Sequence, residues 1–518
     1  MKHRWLYRAA LAFLVYILLL ALLTSAERAY PQASIRSFGD AVWYSLVTLT
    51  TVGYGDLYPV SPLGRAVGLL FVLLSIGALA SLISVLTAFL RRRVIPAVRL
   101  GVLRRGGCWL FSEANGSALA LARDLIRSEP KAYCAFFGEG EPPAAVSALG
   151  RRSLFISGSI ADTAPRLAGQ GTKTVFLTHA DPMKNLAEAR ALSGLQLRLY
   201  CFGPETGDLP GVQYFDIFSG IARTYWNAHP LKRTETVVLL QGSGRLAREL
   251  LDQAILVNCR EPFQRTVYHL FGDWAPYLRE HFALGQVFTF DAEDTRHDAL
   301  QFHQEAWTAR PELLEAADRV ILCEDDPAAN AEAAQRLIRY FPFRGQLHAA
   351  APVVPSPAVA FGADEEACTA DAVMRSALDA RARKLHEMYC RSTGADTAWE
   401  SLPLFLKMSN RASADHLLTK LRLLLPEQDV TEITPAVCEE AAERWRQMED
   451  HEPCRQNEHL RWMRFYALYN WRRGPEKNET LRTHPCLVPY AELSPEDREK
   501  DENAWLQISR LAAEGGRK

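Results

Sequence analysis

The first 107 residues of this 518-residue chain contain no cysteine, and the ten cysteines lie between Cys108 and Cys486. No two of them form a C-x-x-C pair, and none belongs to a Cys/His cluster at metal-ligand spacing. Such scattered cysteines argue against a structural zinc site and a disulfide framework. We therefore predict a reducing cytosol for most of the chain and no bound metal.

Motifs of nucleotide hydrolysis and metal-dependent proteolysis are also missing. The chain has neither a G-x-x-x-x-G-K-[ST] loop nor an H-E-x-x-H helix. Histidines such as His179, His269 and His386 lack an adjacent nucleophile with an orienting partner. We predict no enzymatic activity, and a membrane-anchored nucleotide-processing enzyme is the alternative.

The first 105 residues contain instead two long apolar runs and a strong positive charge. Residues 5–24 include one charged side chain, Arg8, and residues 66–90 include none. At about 1.5 Å per residue, both runs suffice to cross a hydrocarbon core of roughly 30 Å. Twelve Lys/Arg face three Asp/Glu in these 105 residues, against 47 and 57 in the rest. The chain therefore divides into a predicted membrane domain, residues 1–100, and a soluble remainder.

Basic residues flank both apolar runs. Lys2 and Arg4 precede the first run, and arginines 91–93 follow the second. The positive-inside bias then places both termini in the cytoplasm and residues 25–65 outside. A cleaved signal peptide is the alternative for the first run, but it leaves the second run unexplained. No arginine-repeat helix precedes the pore, so voltage sensing is not expected.

The segment between the two runs carries the most specific motif. Residues 38–56 form an apolar, aromatic stretch that ends in Thr-Val-Gly-Tyr-Gly-Asp. This segment resembles the pore helix and selectivity filter of potassium channels, and the resemblance extends over residues 5–92. It implies a homotetramer in which backbone carbonyls replace the hydration shell of K+. The filter residues are Thr51, Val52, Gly53, Tyr54 and Gly55.

The same resemblance assigns supporting roles around the filter. Trp43 and Tyr44 are expected to brace it, with Trp43 reaching Asp56, and an interfacial aromatic belt is the alternative. Gly77 lies where the inner helix of the family bends, which makes it the predicted gate hinge. Close helix packing through small residues is an equally good reason for a glycine there. Val47 replaces a glutamate found in some relatives, so inactivation behaviour is not carried over.

After residue 100 short apolar runs alternate with amphipathic stretches, which is typical of βαβ units with a parallel sheet. We predict one unit at 101–233 and a second at 234–363. Behind a two-span pore, such tandem units resemble the regulator-of-conductance (RCK) domains of potassium channels, which implies a ligand-driven cytoplasmic ring. The predicted strands are 107–112, 132–137, 153–156, 174–177 and 197–202 in the first unit, and 236–240, 265–271, 286–290, 319–323 and 345–349 in the second.

The two units differ at the turn after their first strand. Residues 111–116 of the first unit lack the early glycines of a dinucleotide fingerprint, so a pyrophosphate is not expected there. The second unit has Gly-Ser-Gly-Arg-Leu-Ala at 242–247, directly after a strand and at the start of a helix. This context predicts a nucleotide phosphate at the helix N-terminus, and a purely structural turn is the alternative. The candidate contacts are Gly242, Gly244, Ala247 and Asp273.

The C-terminal third is predicted to be mostly helical. Prolines in residues 352–363 indicate a linker or edge segment, and helical periodicity covers 370–425 and 435–473. Residues 457–471 followed by His-Pro-Cys-Leu-Val-Pro-Tyr at 484–490 resemble the repeat domain of ryanodine receptors, which we place at 441–518. The segment 364–440 carries a weak echo of it, in residues 385–389 with Trp399, and is interpreted as a degenerate half-repeat.

The ryanodine-receptor resemblance implies a crevice that accepts an adenine nucleotide on aromatic platforms. Aromatic residues at helical spacing also form ordinary cores, and that alternative stays open. The candidate contacts are His459, Trp462, Trp471 and Tyr490.

Together these features predict a multidomain membrane protein with an all-α two-span pore, two α/β Rossmann-like domains and a mostly α C-terminal domain. The predicted function is a tetrameric, ligand-gated, K+-selective channel of the cell (inner) membrane. Its expected partners are membrane lipid, K+, copies of itself and a nucleotide-type ligand, without nucleic acid. A ligand-free tetramerisation scaffold is the alternative role of the cytoplasmic part.

Overall fold

The computed structural model describes residues 4–90, 98, 101, 108–167, 173–204, 209–291 and 293–515. The chain divides into two compact units, Met1–Arg104 and Arg105–Lys518.

In its described residues, the first unit has three long helices, α1 (Arg4–Arg28), α2 (Phe38–Leu49) and α3 (Pro62–Phe89). The side chain of Ser37 caps α2, and Ser61 caps α3 with a proline in its first turn. The predicted spans coincide with α1 and α3. Judged by length and hydropathy, no helix among the described residues qualifies as a membrane span.

The second unit contains two six-stranded sheets in which every strand pair is parallel. The first sheet, in the order β3-β2-β1-β4-β5-β6, is formed by β1 (Cys108–Phe111), β2 (Tyr133–Gly138), β3 (Ser153–Ser157), β4 (Lys173–Leu177), β5 (Leu197–Phe202) and β6 (Val212–Phe215). The second, in the order β12-β11-β10-β7-β8-β9, is formed by β7 (Val237–Gln241), β8 (Val267–Phe271), β9 (Ala299–His303), β10 (Arg319–Leu322), β11 (Gln346–Ala350) and β12 (Val359–Phe361).

Each sheet has the strand order 3-2-1-4-5-6 of the doubly wound dinucleotide fold. Two Rossmann-like units are therefore present, as the sequence predicted.

One predicted strand is wrong. Residues 286–290 are not a strand, because Leu284–Gln286 form a 3₁₀ turn and β9 (Ala299–His303) takes the third position of the second sheet. Val287 and Phe288 are buried beside that sheet, so their apolar character reflects core packing. The edge strands β6 and β12 were not predicted as strands, although β12 lies in the segment predicted as a linker or edge.

Helices cover the sheets and form the C-terminal third. Those of the two sheet regions are α4 (Gly116–Ser128), α5 (Ala144–Ala148), α6 (Ile160–Thr163), α7 (Pro182–Leu192), α8 (Ile217–Ala228), α9 (Arg245–Val257), α10 (Ala275–Glu280), α11 (Pro311–Ala316) and α12 (Pro327–Tyr340). The later ones are α13 (Asp364–Ala367), α14 (Ala370–Met374), α15 (Ala380–Thr393), α16 (Leu404–Asp415), α17 (Leu417–Leu424), α18 (Pro435–Gln447), α19 (Glu452–Leu468) and α20 (Pro495–Gly515).

One hydrophobic cluster extends from Trp109 in the first sheet to Leu487 near the C-terminus. A smaller cluster joins α17 and α18 to the C-terminal helix α20. A two-residue ladder of β13 (Arg472–Arg473) and β14 (Thr483–His484) follows α19. The modules predicted from the sequence after residue 105 thus share one core.

Candidate filter and ligand sites

The segment after α2 has a backbone that alternates in handedness. Thr51, Gly53 and Gly55 have φ angles of +59°, +60° and +73°, whereas Val52 and Tyr54 have negative φ. Such alternation turns successive carbonyl groups toward one side of the segment. Glycine adopts positive φ readily, but a β-branched threonine does so at a cost of about 1–3 kcal/mol. Strain of this kind is concentrated at functional sites.

Hydrogen bonds hold the opposite side of this segment. The amides of Val52 and Gly53 donate to the carbonyl of Val47 at the end of α2, over 3.0 and 3.3 Å. In the described part of the chain, nothing donates to the carbonyl oxygens of residues 51–54. The amides of Thr51, Val52 and Gly53 are thus anchored to α2 while the carbonyl oxygens stay available, as dehydrated K+ requires.

Trp43 braces the segment from the side. Its indole Nε1 donates to Asp56 Oδ2 over 2.9 Å, as the sequence predicted, and its ring stacks on Tyr54 with centroids 6.1 Å apart. Tyr44 packs against Phe71 with ring centroids 6.4 Å apart and leaves no room for a side chain at Gly68. Tyr44 therefore supports α2 on α3, and its role beside the filter stays a prediction.

Glu27 is a residue that the sequence reasoning missed. It is fully buried at the end of α1, and its carboxylate accepts from the amides of Val60 and Ser61, each over 2.9 Å, and from the Ser61 hydroxyl over 2.6 Å. These bonds tie α1 to the start of α3. The sequence carries a signal for this contact. Glu27 is a lone acid after the first apolar run, and Ser61-Pro62 is typical of a helix start with amides that a carboxylate can bind.

Gly77 lies inside the continuous helix α3. Among the residues that the structure describes, a Cβ added there would meet no atom within 4 Å. Packing against the chain's own helices therefore does not require glycine at this position, and the hinge stays a prediction.

The second Rossmann turn is closed by the chain itself. Gly242 has a φ of +127°, and a Cβ there would lie 2.8 Å from the carbonyl oxygen of Cys323. At the start of α9 the amides of Arg245 and Leu246 donate to the two carboxylate oxygens of Asp325, over 3.0 and 2.9 Å. A pyrophosphate would need these same amides. The contacts favour the structural alternative for this turn.

The other predicted contacts of this turn also have structural roles. The carboxylate of Asp325 leaves no room for a Cβ at Gly244, and Ala247 is fully buried in α9. Asp273 accepts from the amide of Ala275 over 3.2 Å at the start of α10.

The first Rossmann turn carries a carboxylate in the same way. The Ser117 hydroxyl in the first turn of α4 donates to Asp364 over 2.9 Å, and the same carboxylate crowds Gly116. Asn115 caps the helix by accepting from the amide of Ala118 over 3.0 Å. An aspartate that is distant in sequence thus lies against the helix start after the first strand of each sheet, through two amides in the second unit and through a side-chain hydroxyl in the first.

Three of the four aromatic candidates in the C-terminal domain lie together. His459 is 5.7 Å from Trp462 and 5.9 Å from Tyr490 between ring centroids, and it is buried with its Nε2 bonded to the Val488 carbonyl over 2.8 Å. Burial and a hydrogen bond to Glu452 raise the pKa of Tyr490 to about 12.

Trp471 lies apart from these three, since it stacks on Phe405 with centroids 5.3 Å apart. These contacts favour core roles for His459, Trp471 and Tyr490. Only Trp462 is half-buried and offers part of its ring to solvent.

Comparison with known proteins agrees with both sequence motifs. Residues 10–92 match the ion channel family, and residues 443–514 match the RyR domain family. The chain carries an ion channel domain and a RyR domain. This confirms the predicted resemblance in both segments.

Relatives of the ion channel domain are potassium channels. A voltage-gated potassium channel of Aeropyrum pernix is 37% identical over 84 residues, which are 16% of this chain and 26% of that protein. The calcium-gated potassium channel TvoK of Thermoplasma volcanium is 38% identical over 88 residues, 16% of this chain and 25% of that protein. The chain thus spans about a quarter of the length of these curated relatives.

Among solved structures, GsuK bound to ADP is similar with 14% identity and a TM-score of 0.34, over 70% of this chain and 96% of that one. The GsuK channel bound to NAD gives 14% identity and a TM-score of 0.33, over 71% and 83%.

The RyR domain is joined to the second Rossmann unit through buried polar groups of α19. Arg464 is fully buried and contacts Glu261 over 2.6 Å and Asp298 over 2.9 Å. Asn457 Nδ2 donates to the carbonyls of Cys259 and Glu261 over 2.9 and 2.7 Å. This helix therefore fixes the loop that follows α9.

A second buried ion network joins the same helix to α17. The carboxylate of Glu458 lies 2.7 Å from Lys420 and 2.7 Å from Arg461. Burial alone would raise the pKa of Glu458, but Arg461 and Lys420 outweigh it and lower that pKa to about 2. Burial lowers the pKa of Lys420 despite this pairing. Sequence reasoning missed these residues because their charges suggested an exposed helix face.

Proposed function

We propose that the chain is the subunit of a tetrameric potassium-selective channel whose second unit senses a small anionic, nucleotide-type ligand and gates the pore. The observation that carries the pore assignment is the row of free carbonyls at residues 51–54, on a backbone of alternating handedness that Trp43 and Val47 hold. Backbone carbonyls in that arrangement are ligands for a dehydrated K+ ion.

The exposure of the filter side chains supports assembly. Val52 and Tyr54 are 54% and 69% exposed in the single chain, so further copies of the chain have this surface to cover. One strand supplies oxygens on one side of an ion, and further copies around an axis complete the shell. Four copies is the number implied by the resemblance to potassium channels.

The location and topology follow from the same assignment. Relatives of residues 10–92 are potassium channels, so a cell-membrane location is proposed. The flanking basic residues place both termini in the cytoplasm.

Ligand sensing is supported by the construction of the second unit. Two sheets of dinucleotide-fold order and the RyR domain share one core, so a change at one site can reach the others. The aspartates at both Rossmann turns are the specific observation in favour of the second candidate, a scaffold without a ligand.

The pore assignment is tested by Gly53→Ala, with Gly39→Ala as the matched control. A Cβ at a φ of +60° costs about 1–2 kcal/mol in each subunit and disturbs the carbonyl row. Gly39 lies in helix α2, where alanine fits. In liposomes, Gly53→Ala should lose K+ flux or its preference for K+ over Na+ and remain the same oligomer by light scattering. An unchanged K+ preference would refute the filter assignment.

A further inference from the structure

A cavity of about 530 Å³ lies between the second Rossmann unit and helix α17. Its walls are the segment 231–234 before β7, the segment 258–264 after α9, and residues 419–429 at the end of α17. This is the amino-terminal edge of β7, whereas dinucleotides bind at the carboxyl ends of strands. The volume is within the 300–1,000 Å³ that is typical of ligand sites.

Basic side chains dominate the lining. Lys232, Arg233, Arg260 and Arg422 face two acids, Glu427 and Asp429. Asp429 is paired with Arg422 over 3.1 Å, so these two charges neutralise each other. Three basic side chains then remain against Glu427. In the described part of the chain, the Lys232 ammonium and the Arg233 guanidinium have no ion pair or hydrogen-bond partner. Both side chains are exposed and can turn toward a ligand.

Arg260 is the buried element of the lining. Only 5% of its surface is exposed. Its Nη1 donates to the Lys232 carbonyl and the Gln264 side chain, and its Nη2 donates to the Glu235 carbonyl and the Thr266 hydroxyl. All four acceptors are neutral, and Nε has no partner. A buried guanidinium that bonds only neutral groups keeps a net positive field at the cavity.

We infer that this cavity binds a small organic anion with two or more negative charges, with its phosphate or carboxylate groups on the basic side chains and its remaining atoms against Phe263, Leu423 and Pro426. Guanidinium and ammonium groups recognise phosphate and carboxylate through the same charge-assisted hydrogen bonds. The apolar residues in the lining favour an organic anion over an inorganic ion.

The cavity wall is also the segment that the RyR domain holds. The carbonyl of Cys259 accepts from Asn457 of α19 and contacts Nε2 of His416, each over 2.9 Å. Thr419 of α17 donates to the Val257 carbonyl over 2.5 Å. An anion that draws Arg260 toward the cavity acts on this shared loop. The gating part of the inference rests on the proposed function, and binding itself does not.

The test is calorimetric titration of the detergent-purified full chain with ADP, citrate, adenosine and inorganic phosphate as probes. ADP, citrate or both should bind at least tenfold more tightly than adenosine and inorganic phosphate. Binding of ADP alone would identify an organic phosphate, and binding of citrate alone an organic carboxylate. If adenosine binds as tightly as ADP, or if neither ADP nor citrate binds, the inference is wrong.

The double variant Lys232→Gln/Arg233→Gln should lower the affinity for the anion at least tenfold. It should fold normally by circular dichroism, because both side chains are exposed. The matched control is Arg336→Gln/Arg339→Gln, which removes the same charge from the exposed face of α12 in the same Rossmann unit. An equal loss of affinity in both double variants would mean that net charge alone causes the effect, and the proposed site would be wrong.

Flux through liposomes separates this inference from the proposed function. If the anion binds but K+ flux is the same with and without it, the site is confirmed and its gating role is wrong. If Gly53→Ala leaves selectivity unchanged, the pore assignment fails and the calorimetric result is unaffected.

Discussion

At the scale of single residues, several acids meet the start of a helix from elsewhere in the chain, and three of them lie at the sites described above. Glu27 meets α3, Asp325 meets α9 and Asp364 meets α4. A helix N-terminus carries free amides and a partial positive charge, so each carboxylate is stabilised there. In the second Rossmann unit, Asp325 takes the amides that a nucleotide phosphate would need.

Glu27→Gln should destabilise the first unit. The carboxylate accepts three hydrogen bonds, whereas an amide presents its NH₂ group to at least one of the same donors. A lowering of the unfolding free energy by about 1–3 kcal/mol is expected, seen as a lower thermal midpoint in detergent. Glu141→Gln, at an exposed position, is the control and should change nothing. Equal midpoints for the two variants would mean that the Glu27 bonds contribute no stability.

Asp325→Ala should open the second Rossmann turn. The amides of Arg245 and Leu246 lose their acceptor, which costs about 1–2 kcal/mol as at other helix starts. Inorganic pyrophosphate should then raise the thermal midpoint of the variant more than that of the unchanged chain, since an anion can take the freed amides. An identical shift in both proteins would show that the turn has no affinity for phosphate.

At the scale of elements, apolar periodicity predicted nine of the twelve strands in the two large sheets and the parallel pairing. It failed at 286–290, because a buried 3₁₀ segment and a buried strand have the same short apolar pattern. The strand β9 was missed since Gln301 and His303 interrupt its apolar character. The closure of the second turn could not be predicted, because Asp325 lies about 80 residues from the amides that it meets.

Helix α19 gives the second unit a specific dependence on pH. Glu458 has a pKa of about 2 against an ordinary 4.5, so its ion pairs stabilise the fold above pH 4.5. This contribution, on the order of 3 kcal/mol, should disappear as the pH falls from 4.5 toward 2. The thermal midpoint followed by tryptophan fluorescence should fall over that range.

Glu458→Gln isolates this effect. The variant should be less stable at neutral pH by about 3–5 kcal/mol, because Lys420 and Arg461 lose their partner, and it should lack the acid-dependent part of the loss. Glu499→Gln, on the exposed face of α20, should retain the behaviour of the unchanged chain. An acid dependence that survives Glu458→Gln would assign it to other carboxylates.

At the scale of the whole molecule, the chain divides into two compact units, Met1–Arg104 and Arg105–Lys518. The carbonyl row belongs to the first, and both Rossmann sheets, the RyR domain and the basic cavity belong to the second. Under the proposed function, conduction and sensing are carried by different parts of the sequence.

A chain that ends at Arg104 should therefore conduct K+ without responding to a cytoplasmic ligand. A ligand shifts gating only through different affinities for the open and closed states, and the truncated chain has lost the unit that carries those affinities. Single-channel recording in planar bilayers should show the K+ selectivity of the full chain, with an open probability that is constant as ADP or citrate is added. The full chain, recorded with the same additions, should change its open probability but not its unitary conductance. A truncated channel that still answers to either anion would place the sensor in the first unit and refute the division of roles.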